Sequence, residues 1–253
     1  MNKSLLVHQI PGLNVLVDGF RHAHSGCKDY FLTHFHGDHY TGLSSDFNYG
    51  KIYCTPITGA LVKTMLGVRE EFIQTVPIGG SVKVPGNDAA AAAVASVAFL
   101  DAHHCPGAAL LLFRVRETGK AHLHTGDMRF DPKMKEYELL KTTKIDTVFL
   151  DTTYCHPKHT FSCQVDAISE IVSQIQKRLQ EDQGSNNRTL FLLSAYNIGK
   201  EKILIEVARQ TGYKIPVDEK KLRILDCLGL APGDRALFEA AAAGPGGGGG
   251  GGG

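Results

Sequence analysis

The sequence contains no run of about eighteen apolar residues, the least a membrane-crossing helix requires, so no segment reads as spanning a bilayer. Its first residues, MNKSLLVHQIPG, lack the long apolar stretch that directs secretion. It has no Cys-x-x-Cys pair: Cys27, Cys54, Cys105, Cys155, Cys163 and Cys227 are scattered, and they read as reduced thiols of a cytosolic or nuclear protein. It also lacks an excess of either charge. Lys and Arg total 27 against 26 Asp and Glu, a formal net charge of +1, so the chain as a whole has no polyanion-binding signature, and any contact with nucleic acid must come from a local patch.

What is present is ordinary for a globular chain of 253 residues: 43% hydrophobic and 21% charged, enough for one large core or two modest ones. Two pieces depart from this. The alanine-rich Asp88–Val97 and the end AAAAGPGGGGGGGG are of low complexity, and such segments bury too little apolar surface to order themselves. The tail is expected to be disordered, and Ala89–Ala93 to form an inserted loop or short helix. The count of twelve histidines is high, and several stand beside aspartates in short polar runs, a first hint of metal.

From Asn14 to Tyr154 one arrangement recurs: a short apolar run ends in a cluster of His, Asp and Gly. The runs are Val15–Val17 before Asp18, Tyr30–Leu32 before His34, Val97–Leu100 before His103 and His104, His122–His124 before Asp127, and Val148–Leu150 before Asp151. Each is short enough for a buried strand, which puts chemistry at strand ends. Pro56–Leu66 has the length and spacing of a helix on a sheet, whereas Pro85–Asn87 and Arg116–Gly119 read as turns. After Tyr154 the alternation lengthens: a helix from about Ser162 to Gln183, a strand Thr189–Ser194, a helix from about Gly199 to Thr211, and a further helical start at Lys220–Leu230, with no closing strand after it. Val165, Ile168, Ile171, Val172, Ile175 and Leu179 recur at helical spacing and are assigned to a core.

The sharpest feature is Thr33-His34-Phe35-His36-Gly37-Asp38-His39. Imidazole and carboxylate are ligands that zinc accepts at about 2.0–2.2 Å, and an irregular loop can turn His34 and His36 to one ion and Asp38 and His39 to a second. Gly37 permits the bend. A polar turn with chance histidines is the bland alternative, set aside because the run is so dense. Further donors come from Asp101-Ala102-His103-His104-Cys105 and His124-Thr125-Gly126-Asp127. The resulting assignment gives His34, His36 and His104 to one metal, Asp38 and His39 to the other, and Asp127 as the bridge, with the ions about 3.5–4 Å apart. His103, His122 and His124 compete on residue type alone; His122 and His124 are ranked as strand or supporting histidines.

In order, Asp18, the HxHxDH loop, His104 and Asp127 resemble the signature of the metallo-β-lactamase superfamily, over residues 10 to about 155. LDTTYCHPKHTF around Asp151 resembles the element that opens the β-CASP region of nucleic-acid-processing members. DAHHCPGA, HTGDMRFDP, LDTTYC and SAYNIGKEK are similar to phrases of the SNM/Pso-type DNA cross-link repair nucleases. The resemblance implies an α/β fold: a four-layer αβ/βα sandwich with metals at one rim (1–155), a partial β-CASP cap (156–238) and an Ala/Gly tail (239–253). It also implies a zinc-dependent 5′-to-3′ exonuclease of cross-link and double-strand-break repair in the nucleus, acting on single-stranded or damaged DNA with a 5′ phosphate. It makes Asp18 and Asp151 orienting or proton-handling carboxylates near the site, and places a 5′-phosphate pocket at Ser194, Tyr196, Gly199 and Lys200. From residues alone, Lys200 and Lys202 read as the solvated first turn of a helix. A basic groove including Arg129, Lys158 and Lys200 is expected to carry the strand.

The β-CASP region of such nucleases continues past Lys202 and supplies two more histidines, the last completing the second metal's ligand set. No histidine follows Leu230 here, so the expectation is a truncated cap, one firm metal site and weak or absent cleavage. The rival readings are a small-molecule hydrolase on the same fold and a non-catalytic metal-binding repair module.

Overall fold

The computed structural model describes residues 3–85, 94–184 and 188–241. Ala89–Ala93, Gly86 and Asn87 of the expected turn, and the Ala/Gly tail beyond Ala241 therefore lie outside the described residues. The chain divides into two units, Met1–Thr160 and Phe161–Gly253.

Most short apolar runs of the first unit become buried strands, but Val148–Leu150, expected to be buried, has Val148 and Leu150 exposed at the sheet's edge. β1 (Val15–Val17), β2 (Asp29–Phe31), β3 (Lys51–Cys54) and β4 (Ile73–Thr75) pair in parallel, in that order. β5 (Ser81–Val84), β6 (Ala95–Asp101), β7 (Ala109–Val115) and β8 (Ala121–His124) form an antiparallel meander, and β9 (Thr147–Phe149) joins β8 in parallel. Alternate side chains decide the layers. Val15, Val17, Phe31 and Tyr53 of the first sheet meet Val97, Phe99, Leu111 and Phe113 of the second in one core. The Phe31 ring stacks on Tyr53 at 4.8 Å and meets Phe113 edge-on at 5.0 Å. Leu100, Leu110, Leu112 and Leu123 point the other way and are covered by Tyr137, Leu139, Leu140 and Ile145.

Among the described residues four α-helices belong to this unit: α1 (Lys3–Leu6), α2 (Gly37–Tyr40), α3 (Pro56–Leu66) and α4 (Glu138–Thr142). α3 has the bounds its sequence predicts. Thr55 caps it by accepting from the Thr58 amide, Pro56 opens it, and Gly67 at φ 69° closes it. Gly59 lies so near the side chains of Cys54, Ile73 and Thr75 that a methyl group there would meet Thr75 Cγ2 at 2.8 Å. α3 is thereby held on the outer face of the parallel sheet, and α4 covers the outer face of the other. The four-layer αβ/βα order that the resemblance implies is the arrangement of this unit.

The second unit comprises α5 (Gln164–Gln183), α6 (Glu201–Thr211), β10 (Ile215–Val217), α7 (Glu219–Cys227), α8 (Pro232–Arg235) and β11 (Phe238–Ala240). Val172 and Ile175 of α5 pack on Val207 of α6, with Ile168, Ile171 and Leu179 partly buried around them. Three expectations are corrected. Val165, at the first turn of α5, is exposed. Thr189–Ser194 is irregular rather than a strand: its first amide is taken by Asp182 Oδ2 at 2.8 Å, its first hydroxyl accepts from Arg178 Nε, and Leu190 and Leu192 stand 80% and 84% exposed. A closing strand does follow Leu230, because β11 pairs in parallel with β10 from Ile215↔Phe238 to Val217↔Ala240.

Among the described residues no helix is long and apolar enough to cross a membrane. None of the six cysteines, all among the described residues, forms a disulfide.

Candidate metal centre

The strand ends of the first unit deliver their polar residues to one place. β1 leads into Asp18, β2 into His34–His39, β6 into His103 and His104, β8 into Asp127 and β9 into Asp151. The Ala109 amide ties the two sheets at these ends by donating to Thr33 O at 3.0 Å, and the Thr125 amide joins the β8 and β9 ends by donating to Phe149 O at 3.0 Å.

Two groups of donors form there. His34 Nε2 stands 2.9 Å from His36 Nδ1, and His104 Nε2 stands 3.1 Å from the same His36 atom. Asp127 Oδ2 lies 3.7 Å from His34 Nε2 and 3.6 Å from His104 Nε2. On the other side, His39 Nε2 lies 3.2 Å from Asp127 Oδ1 and 3.6 Å from Asp38 Oδ2. Tetrahedral ligands bound at about 2.0–2.2 Å stand about 3.3–3.6 Å from one another, and the observed separations bracket that spacing. Among the described residues the donors that could hold an ion lie in two groups, His34, His36, His104 and Cys105, and His34, His39 and Asp127, with Asp127 Oδ2 also facing His34 and His104; Asp38 is in neither group. Cys105, which sequence reasoning left among the scattered thiols, joins the first group: one atom each of His34, His36, His104 and Cys105 can be chosen so that all lie within 4.8 Å of one another. Its adjacency to His104 was the available signal.

The network behind these donors fixes which nitrogen faces inward. The Thr33 hydroxyl donates to Asp18 Oδ2 at 2.7 Å, so its oxygen accepts from His34 Nδ1 at 3.0 Å and leaves His34 Nε2 as the lone-pair atom. Asp18 Oδ1 accepts from the Thr33 amide at 2.8 Å, and Oδ2 also from His39 Nδ1 at 2.8 Å. Asp18 thus orients two of the donor-bearing segments at once. Asp151 accepts from the Met128 amide at 3.2 Å and its own amide donates to Thr125 Oγ1 at 2.9 Å, which joins the β8 and β9 ends.

Backbone strain is concentrated here. Among the described residues only Asp18 (φ 50°) and His103 (φ 52°) are non-glycine residues in the left-handed region, conformations that cost roughly 1–3 kcal/mol and persist only where the surroundings over-determine them. His103 is not turned to the metal group. Its amide donates to Asp101 Oδ1 at 2.8 Å and its ring nitrogen meets the Tyr137 hydroxyl at 3.0 Å, a hydroxyl that also reaches Asp101 O at 3.2 Å. Gly126, at φ 50°, passes so close to Thr33 that a Cβ would stand 2.6 Å from its Oγ1. His122 and His124 are strand residues on the inner face of β8. His124 Nδ1 accepts from the Gly126 amide at 3.1 Å and its ring stacks on Phe149, while both nitrogens of buried His122 lack a hydrogen-bond partner among the described residues.

Charge follows from the crowding. Burial, reinforced by the neighbouring His39, pushes His34 down to about 3, and burial likewise lowers His104, His122 and His124. Burial opposes the charged form of His39 too, but hydrogen bonds to Asp127 and Asp18 outweigh it and push this imidazole up to about 10. The hydrogen bond from His39 holds Asp127 at about 2. Burial works to raise Asp18, and the His39 hydrogen bond and charge overcome it, so its carboxyl lies below the ordinary range. Neutral His34 and His104 beside the ionised Asp127 suit a divalent cation, whereas His39 keeps a proton that it would have to release to act as a ligand.

Ser194, Tyr196, Gly199 and Lys200 belong to the second unit. Ser194 and Tyr196 line an open cavity of about 1250 Å³ there, together with Leu193, Val217, Lys221 and Ile224; Gly199 and Lys200 are not among its lining residues. Lys200 is the N-cap residue of α6, and the Gly199 amide donates to Glu201 Oε2 at 2.8 Å. Glu201 is buried and its other oxygen pairs with Lys221 Nζ at 2.7 Å.

Comparison with known proteins agrees with this geometry. The chain is 42% identical over 221 residues to the DNA cross-link repair 1A protein of Gallus gallus, which covers 87% of this chain and 21% of that one. It is 40% identical over 235 residues to DNA ligase 6 of Arabidopsis thaliana, covering 91% and 16%, and 31% identical over 202 residues to the 5′ exonuclease Apollo of Danio rerio, covering 79% and 34%. The chain thus spans between about a sixth and a third of these relatives. A family model described as a beta-lactamase superfamily domain matches residues 25–180, which include all five loops at the strand ends except Asp18, and with the converging donors of those loops it establishes that this chain belongs to the β-lactamase superfamily.

Proposed function

We propose that this chain is the catalytic portion of a zinc-dependent 5′-to-3′ DNA exonuclease, hydrolysing phosphodiesters of single-stranded or damaged DNA with a 5′ phosphate during cross-link and double-strand-break repair in the nucleus. The observation that carries the reading is the shared carboxylate: Asp127 turns Oδ2 to His34 and His104 and Oδ1 to His39. Names of relatives at 31–42% identity, DNA cross-link repair 1A protein and 5′ exonuclease Apollo among them, support the nucleic-acid substrate.

His34, His36, His104 and Asp127 would hold one ion, and Asp38, His39 and Asp127 the other. The imidazole and carboxylate donors suit zinc. Such ions, when bound, supply Lewis-acid charge to a phosphoryl oxygen and lower the pKa of water toward neutrality. The chain's own residues do the rest. Asp18 keeps His39 Nε2 and His34 Nε2 facing Asp127 through Thr33 and His39 Nδ1. Asp38, whose side chain is 78% exposed, stands where strand and water enter. Asp151 fixes the Asp127 loop through the Met128 amide. We assign the 5′ phosphate to Ser194, Tyr196, Gly199 and Lys200; engaging the Gly199 amide requires Glu201 Oε2 to leave it. Because phosphates dominate such binding, affinity falls steeply with salt.

The test pairs elemental analysis of zinc with digestion of a 5′-phosphorylated single strand, for the chain and for the double variant Asp38→Ala, His39→Ala. Zinc near about two per chain, with shortening from the 5′ end that the double variant loses, supports the reading. An undigested strand, or digestion that survives the double substitution, overturns it.

A further inference from the structure

We propose that Phe130 is a nucleobase-stacking platform beside the metal centre, taking the base of a nucleotide that flanks the scissile phosphate. The proposal rests on the nuclease reading above and adds to it a contact that reads the base rather than the backbone.

Phe130 departs from the other phenylalanines of the first unit, although Tyr154 (63%) and Tyr49 (38%) are exposed there too. Phe20, Phe31, Phe35, Phe47, Phe99 and Phe113 are buried in its cores, whereas Phe130 is 59% exposed. It stands three positions past Asp127, so the two Cα atoms are at most about 10 Å apart.

The ring is held, not loose. Upstream of it the Met128 amide donates to Asp151 Oδ2 and the Arg129 amide to Ala102 O at 2.9 Å. Downstream, Asp131 Oδ1 accepts from the Lys133 amide at 2.8 Å and caps the 3-10 turn Pro132–Glu136, whose Met134 is buried. Anchors on both sides leave little conformational entropy for binding to remove.

The surroundings of the ring suit a polyanion. Lys135 Nζ lies 5.9 Å from the ring centroid, within cation–π range, and forms no ion pair among the described residues. Arg129 and Lys133 stand on the same segment, while one of its acids, Asp131, is used as the cap and the other, Glu136, is paired with Lys141 at 2.8 Å. An exposed aromatic ring set among cations is the combination by which proteins hold single strands: the cations take the backbone and the ring takes the face of a base, whichever base it is. In a chain with a net charge of only +1, this segment is a local patch of the kind the composition requires.

The chain contains no tryptophan, so Phe130→Trp installs a unique reporter. Quenching of that fluorophore is measured with a short 5′-phosphorylated, phosphorothioate-linked oligothymidine and with a strand of the same length and backbone carrying abasic sites. We expect quenching by the first and not by the second, and in Phe130→Ala a loss of roughly tenfold or more in affinity for the base-containing strand, unchanged affinity for the abasic one, and partial rescue in Phe130→Tyr. Because the ring is exposed, an unchanged melting temperature for Phe130→Ala verifies that the fold is intact. Equal quenching by both strands, or equal binding of the base-containing strand by Phe130→Ala and the parent, overturns the platform. If the parent cleaves ordinary DNA but does not distinguish the two strands, the platform falls and the nuclease reading stands. If the parent binds and cleaves neither, both fall together.

Discussion

The two units treat their apolar residues differently. In the first, Leu110 to Phe113 are buried on both faces of β7 by a second sheet on one side and the α4 region on the other. In the second, Leu190 and Leu192 are exposed, and one cluster joins the buried Val172, Ile175 and Val207 with only partly buried residues around them. The difference explains where strain can be stored. Asp18 and His103 hold unfavourable backbone conformations, and Gly126 is pressed against Thr33, on loops whose two ends are strands of one sheet: β1 and β2, β6 and β7, β8 and β9. Burial disfavours the charged forms of His34 and His104, whereas the hydrogen bonds of His39 to Asp18 and Asp127 favour its charged form, and a rigid frame keeps these donors assembled.

The largest effect that would sharpen the comparison is at Asp127. Asp127→Ala removes the carboxylate that faces His34, His104 and His39; zinc content should fall and strand cleavage should slow roughly a thousandfold or more, the barrier rising by several kcal/mol, while the helices of the second unit keep their circular dichroism. Retention of full zinc and cleavage would exclude the bridge. Asp18→Asn is next. Its amide presents hydrogens where Oδ2 now accepts from both Thr33 Oγ1 and His39 Nδ1, so zinc affinity measured by chelator competition should weaken by about 10–100-fold; an unchanged affinity would mean that the loop is oriented without Asp18.

A smaller effect contrasts the two units directly. Gly126→Ala forces a methyl group onto Thr33 Oγ1 at positive φ and should cost about 1–3 kcal/mol, a fall in melting temperature of about 2–4 °C per kcal/mol. Leu192→Ser, on a side chain already in water, should change stability by less than about 0.5 kcal/mol. The comparison breaks if Leu192→Ser proves the more damaging of the two.

Much of this was legible because its signals are local. α3 carries its own cap, proline and terminal glycine, so Pro56–Leu66 could be bounded from residues alone. His34, His36, His39, His104 and Asp127 stood out because each follows a short apolar run, and strand ends converge whatever the details of the sheet. What was not legible is long-range. Thr189–Ser194 has a strand's composition, but a strand needs a partner, and the Asp182 and Arg178 side chains take its first polar groups instead. β11 was missed for the converse reason: Phe238–Ala240 has no strand-like pattern and is strand only because β10 lies beside it. Cys105 was hidden by its neighbours' stronger signal, and the pairing of Tyr137 with His103 spans 34 positions that no periodicity connects.

The smallest effect concerns protons. In the metal-free protein His39 sits at about 10 against an ordinary 6.5, a raised value. Its contribution to stability is therefore fully present below pH about 6.5 and is lost as pH rises through about 10. Asp127, lowered from 3.8 to about 2, has the opposite sign: its contribution is present above 3.8 and is lost as pH falls through about 2. The metal-free chain should thus lose melting temperature gradually above neutrality on account of His39. Metal binding inverts that trend, because a ligating imidazole must be unprotonated: near pH 7.5 His39 gives up its Nε2 proton as the second group loads. Calorimetric zinc titration in buffers of different ionisation enthalpy should therefore report about one proton released that is absent in His39→Gln. The same release from both proteins would mean that the charged imidazole is not His39, and that the Asp18–His39–Asp127 chain does not hold a proton in the place where the second ion is proposed to bind.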